Sequence, residues 1–260
     1  MSDTQERIMV MPAFAFKEAC SKIENEAERL EETRHMYYSY MNTPGSVVMM
    51  RRDMAEHNAD VLQPIPYAVI YHLDANNISE YNPETLMENI YVLCYKRGEE
   101  GGESRLHNTV SIGFGGHINI DDVNNALTDW PNSNPFTQCV QRELLEELNI
   151  NCGIAPDREL FTGTVFYDPS TEVSSLHICE SVFFCVNDKE GITAKEDCIK
   201  QLSWKSLKEL IYIGNESGVF ESWTVNIISY MTDVLMTADM SIFKDMLEDE
   251  SSGTVNPAMP

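Results

Sequence analysis

Positive charge is scarce in this chain. Among its 260 residues, 18 Lys and Arg stand against 42 Asp and Glu, a formal net charge of −24. A surface so acidic repels phosphate backbones and anionic headgroups, which excludes bulk binding to DNA, RNA or acidic membranes. Long apolar runs are missing as well. No window approaches the roughly 18 apolar residues of a membrane span. Residues 1–7 are polar with no apolar stretch behind them, so a secretory leader is not expected and a cytoplasmic setting is. The seven cysteines (Cys20, Cys94, Cys139, Cys152, Cys179, Cys185 and Cys198) lack CxxC spacing. Most sit in apolar runs such as VLCYK and FFCV, and they read as reduced, buried thiols. No internal repeat is visible. The length suits one principal domain with additions, or at most two domains.

What the chain does have is an acidic amphipathic segment. Along RELLEELNI, residues 142–150, the helical period of ~100° per residue groups Val140, Leu144, Leu148 and Leu145 on one apolar arc. Glu143, Glu146 and Glu147 fall on the arc beside it. Carboxylates so close repel one another by a few tenths of a kcal/mol per pair. Arg142 reaches Glu146 at i+4 but brings a single positive charge. A hard, oxygen-seeking divalent cation such as Mg²⁺ or Mn²⁺ would offset the remainder. The competing reading is a solvated acidic face. Against it stands the paired glycine, Gly115-Gly116, in the turn upstream.

The order of these residues resembles the signature of the Nudix hydrolases. Gly116 takes the first position, Asp122 stands after five residues where the family has Glu, and Arg142, Glu143, Glu146 and Glu147 supply the remainder. Three departures are plain: 19 residues, 123–141, replace the usual seven; Asp replaces Glu at position 122; Asn149 replaces the final Gly. Asn is the next-best residue for the left-handed helix cap a Gly would make. SIGFGGHIN, QPIPYAVI and YKRGEEGGESRLHN are similar to a MutT-like predicted phosphoesterase subgroup, extending the resemblance over about residues 45–225. The resemblance implies an α/β/α sandwich with a mixed sheet, and water attack on a diphosphate linkage of a small nucleoside diphosphate derivative. It implies metal ligation by Glu143, Glu147, Glu146 and the Gly115 carbonyl, with Arg142 orienting a carboxylate. The general base is left open between a helix glutamate, Glu196 and Glu172. A sensing module on the same fold, binding nucleotide without turnover, is the alternative, and it would be expected to have lost one of the helix glutamates. An acid–base isomerase on this scaffold would need a reactive Cys in a basic pocket, and no such pair stands out.

In chain order, a strand is expected within residues 5–13 and a single amphipathic helix over 14–36, ahead of a turn at Thr43-Pro44-Gly45. SVVMMRR, YAVIYHL and NIYVLCYKR read as strands, with Pro64 and Pro66 before the second and a loop around NNISEYNPET. TVSIGFGGHI reads as one strand running into the glycine turn. DDVNNALTDWPNSN reads as a surface excursion with Trp130 at its tip. Asn134-Pro135 is a helix start, placing the acidic helix at about 135–148. ELFTGTVFYD, LHICESVFFCV and QLSWKSL are further strands, WKSLKELIYI begins the move to a helix, and 220–247 reads as one more amphipathic helix or two. The division expected is an N-terminal extension 1–44, a main domain 45–219, a C-terminal helical segment 220–247 and a disordered tail 248–260. The terminal helices are natural surfaces for a homodimer. His117, His177 and Trp223 are more economically read as packing or hydrogen-bonding residues, while Arg97 and Arg105 are candidates for substrate phosphates.

Overall fold

A computed structural model describes residues 6–78, 80, 82–98, 108–129, 131–150, 159–214 and 218–240. Arg105, Trp130, Cys152 and the tail from 248 lie outside the described residues. The organising element is β3 (Val61–Leu73), thirteen residues that are buried at almost every position. One edge pairs in parallel with β9 (His177–Cys185), from Gln63↔His177 to Tyr71↔Cys185. The other edge is shared in succession by β1 (Arg7–Pro12), β6 (Gly113–Phe114) and β4 (Ile90–Arg97), all antiparallel. β2 (Val48–Arg51), followed directly by the one-turn α3 (Arg52–Ala55), extends the sheet beyond β1, and β11 (Ile199–Ser206) extends it beyond β4. Short β5 (Val110–Ser111) joins β4, and β8 (Val165–Phe166) joins β9. A separate two-stranded ladder pairs β7 (Leu148–Ile150) with β10 (Ile192–Ala194).

Both faces of the sheet are covered, as alternation along a fully buried strand requires. Tyr67, Val69 and Tyr71 point into a core shared with α4 (Pro83–Asn89), α7 (Leu207–Gly214) and α8 (Ser222–Thr237). Ile70, Leu93 and Phe114 face the other way, onto Leu144 of α6 (Pro135–Glu147) and Leu148. The layers are therefore α/β/α around a mixed sheet.

Several expected elements take another form. The helix expected over 14–36 is two, α1 (Phe14–Lys22) and α2 (Glu26–Asn42). The break falls where Ile23 is extended and the Asn25 side chain accepts from the Glu28 N–H and starts a new helix. α2 is fastened to β9 by Tyr37 and Tyr38, whose hydroxyls donate to the Glu180 carboxylate at 2.5 and 3.1 Å. The loop around NNISEYNPET contains α4, started by Asn82 and Pro83 in the same manner as α6. TVSIGFGGHI is not one strand but two, since β5 and β6 pair with different partners. The 123–141 segment is not a loose excursion: α5 (Ile120–Thr128) occupies its first half, with a reciprocal capping box between Asn119 and Asp122. α4 and α5 start at an Asn two or three residues ahead of an acidic residue, a local signal that turn-forming neighbours obscure. Asn149 makes no left-handed cap. α6 runs straight into β7, Leu148 is extended, and the Asn149 amide donates to Thr193.

Candidate active site

The acidic helix begins where Asn134 accepts from the Thr137 N–H with Pro135 in the first turn, and it buries Cys139 and Val140. Leu145, placed on the apolar arc from the sequence, is 69% exposed. It lies at the far end of that arc, beyond the strip the sheet covers. The same rotation decides the glutamates. Glu143 and Glu147 turn inward beside the glycine turn, whereas Glu146 remains 52% exposed and accepts from Arg142 at 3.1 Å. A Cβ on Gly116 would lie 2.3 Å from Glu143 Oε1, so the absent side chain is what lets the Glu143 carboxylate lie against the turn. A Cβ on Gly115 would meet the Pro66 carbonyl oxygen of β3 at 1.9 Å. Pro66 and Pro64 offer no N–H to this stretch, which limits regular ladder formation alongside the turn.

Arg142 holds the arrangement together. Its Nε and Nη2 donate to the two oxygens of Asp122 at 2.9 Å each, a bidentate fork onto a carboxylate that is 1% exposed. Nη1 donates to Glu143 at 2.7 Å and Nη2 to the His117 carbonyl at 3.0 Å. Asp122 serves twice, because its Oδ2 also accepts from the Asn119 N–H. The 19-residue interval therefore returns Asp122 to the position from which it grips Arg142.

The electrostatics are those of crowded acids in a dry place. Burial raises the Glu143 carboxyl above its ordinary range, against the pull of Arg142. Glu147 is raised well above its ordinary value, first by burial and then by the charge of Glu143, with Arg97 and the Gly115 N–H opposing. Glu147 Oε2 is buried and, among the described residues, has no hydrogen-bond partner. Unpaired buried carboxylate oxygens cost of order 1–3 kcal/mol or more, so they mark a functional site more often than a structural one. Among the described residues no three His, Cys, Asp or Glu side chains form a ready metal cage, consistent with Glu146 lying outside.

Glu196 is brought to this place by the β10–β11 connection. The Lys195 N–H donates to the Glu147 carbonyl at 2.9 Å, and the Cys198 thiol lies 3.2 Å from Glu196 Oε2. Its charge is among those that raise Glu147. Glu172 instead sits exposed in the turn before β9. His117 and His177 are paired, ring centroids 5.4 Å apart; Nε2 of His117 is 2.8 Å from Gln63 and Nδ1 of His177 is 2.7 Å from the Val173 carbonyl. Trp223 packs edge-on against Tyr67. A buried polar cluster went unseen in the sequence: Glu221 gathers Arg97, Tyr67, Ser111 and Thr224. Its members are scattered from residue 67 to 224, and no local spacing announces them.

Tm1382, a candidate Nudix hydrolase of known crystal structure, superimposes on 88% of this chain and 100% of its own, with a TM-score of 0.53 and 22% identity. The chain has the fold of the Nudix hydrolases. A Nudix hydrolase from Alicyclobacillus acidocaldarius aligns over 69% of this chain and 96% of its own, at 12% identity and a TM-score of only 0.44. Protein YmaB of Bacillus subtilis (strain 168) is 35% identical over 160 residues, 61% of this chain. Those residues span 65% of YmaB, just under two thirds of its length. No protein-family model matches the chain. Among the described residues no helix is long and apolar enough to cross a membrane.

Proposed function

We propose that the protein hydrolyses the diphosphate linkage of a small nucleoside diphosphate derivative with the help of Mg²⁺ or Mn²⁺. The observation that carries this reading is the buried, partnerless Glu147 Oε2 beside Glu143 and the glycine turn. Two inward carboxylates whose nearest cation, Arg142, is already shared with Asp122 and Glu146 are the donor chemistry that a hard divalent ion satisfies. Glu143 and Glu147 are the principal ligands in this reading. The Gly115 carbonyl completes the set, and Glu146 contributes from the rim. When bound, the ion supplies charge stabilisation to the phosphoryl oxygens and acidifies water.

The chain's own residues do the positioning. Arg142, locked by Asp122, fixes the Glu143 carboxylate and does not reach substrate. In this reading Glu196, on an exposed connection tied to the end of α6, accepts a proton from the attacking water. Glu147 is the other group able to do so. The experiment is hydrolysis of a panel of nucleoside diphosphate derivatives in Mg²⁺ or Mn²⁺, by the wild type and by Glu147→Gln. Turnover abolished by that substitution supports the enzyme. Tight binding with no turnover by the wild type across the panel supports the sensing module and overturns this reading.

A further inference from the structure

The buried cluster on α8 has no part in the reading above, yet it ends at the same site. Glu221 opens α8 without capping it. Its carboxylate is used elsewhere: Oε1 accepts from Tyr67, from Ser111 at 2.7 Å and from Thr224 at 3.5 Å, and Oε2 accepts from Arg97 Nε at 3.0 Å. The Glu221 side chain is 4% exposed and that of Arg97 30%. Thr224 further receives the Ile112 N–H at 3.3 Å. So many donors on one sunken carboxylate fix its position. Arg97 is held from several directions. Its guanidinium lies over the Tyr95 ring at 5.8 Å, and Tyr95 donates to the Gly113 carbonyl, two residues before the glycine turn. The next residue, Gly98, donates to the Cys198 carbonyl at 2.7 Å, which ties this strand end to the connection bearing Glu196.

A guanidinium has two edges that can each grip an oxyanion. One edge of Arg97 is taken through Nε. Among the described residues its terminal nitrogens have no hydrogen-bond partner; the side chain is 30% exposed, and its charge acts on the inward Glu147. We infer that Arg97 binds a phosphate of the substrate and that Glu221, from the C-terminal helix, is the positioning residue that aims it. The inference rests on the diphosphate reading of the site but concerns a different pair of residues. α8 thereby becomes part of the site and not only a cover for the sheet.

Inorganic pyrophosphate binding, measured by calorimetry with and without Mg²⁺, tests this in the wild type, Arg97→Lys, Glu221→Gln and the double variant. Arg97→Lys keeps the positive charge and Glu221→Gln keeps the side-chain size, and melting curves check that each variant folds. Each is expected to weaken binding about tenfold, the worth of one charge-assisted hydrogen bond. The double variant should be no weaker than the weaker single by more than about twofold, since both changes remove one contact. Where turnover is measurable, KM rises and kcat holds. Losses that multiply in the double variant, unchanged affinity in Arg97→Lys, or no pyrophosphate binding by the wild type would each overturn the inference. Arg97-dependent binding together with no hydrolysis anywhere would uphold it while overturning the proposed enzyme.

Discussion

Replacing Gly116 by Ala separates the chemistry of the site from the stability of the fold. The backbone at Gly116 lies outside the left-handed region, so alanine is conformationally acceptable. Its methyl group would lie 2.3 Å from Glu143 Oε1 and 2.8 Å from Cδ, so the carboxylate must retreat by roughly 1 Å to reach ordinary contact. The colliding atoms end a flexible side chain, and the retreat costs the 2.7 Å pair with Arg142 and little else. Losing that pair is worth about 1 kcal/mol at most, while the stiffer unfolded chain returns about 0.4–1 kcal/mol. Stability should therefore stay within about 1 kcal/mol of wild type. A displacement of ~1 Å in a group that positions the reaction costs on the order of 10²-fold in rate. Urea unfolding and steady-state kinetics across a Mg²⁺ series measure the two quantities. Wild-type kcat with an unchanged metal requirement would refute the placement of Glu143, and a large loss of stability would show that Gly116 serves packing. Gly115→Ala is the contrasting control: its methyl meets the Pro66 carbonyl, which belongs to the central strand and cannot yield, so destabilisation should dominate there.

Asp122→Ala removes the partner of an arginine fork and a helix cap together, and should cost about 3 kcal/mol in denaturant unfolding. A loss below about 1 kcal/mol would mean the fork is dispensable. His117 is held well below its ordinary 6.5 by burial, then by Arg52, His177 and Arg142. The folded state thus binds its proton less readily than the unfolded chain, so stability is complete above pH 6.5 and declines as pH falls through and below it. The decline approaches ~1.4 kcal/mol per pH unit for one proton. His117→Asn should lack that component, and parallel pH–stability curves from urea midpoints would contradict the assignment. Tyr37→Phe strips the shorter of the two hydroxyl contacts from Glu180 and should cost about 1–3 kcal/mol. Retained thermal stability in that variant would show that α2 is docked by its apolar face alone.

Residues 134–147 carry their own instructions. A capping Asn, a Pro in the first turn and a 3.6-residue apolar period are local properties, so the helix start and its buried Val140 were legible in advance. So was the Arg142–Glu146 pair, because i and i+4 are neighbours on any helix. What rotation places α6 against the sheet is not local. That rotation left Leu145 in solvent, put Glu146 on the rim and turned Glu143 and Glu147 inward, and it was decided by packing on Ile70 and Phe114. The 123–141 interval showed the same limit. Its turn-rich composition hid the α5 capping box, and only tertiary structure brings Asp122 across 20 positions to Arg142. The Glu221 cluster, spread from residue 67 to 224, has no sequence period at all. Periodicity and capping are short-range physics that a sequence writes out directly, whereas the meeting of distant polar groups is fixed by how β3 arranges the strands and helices around it.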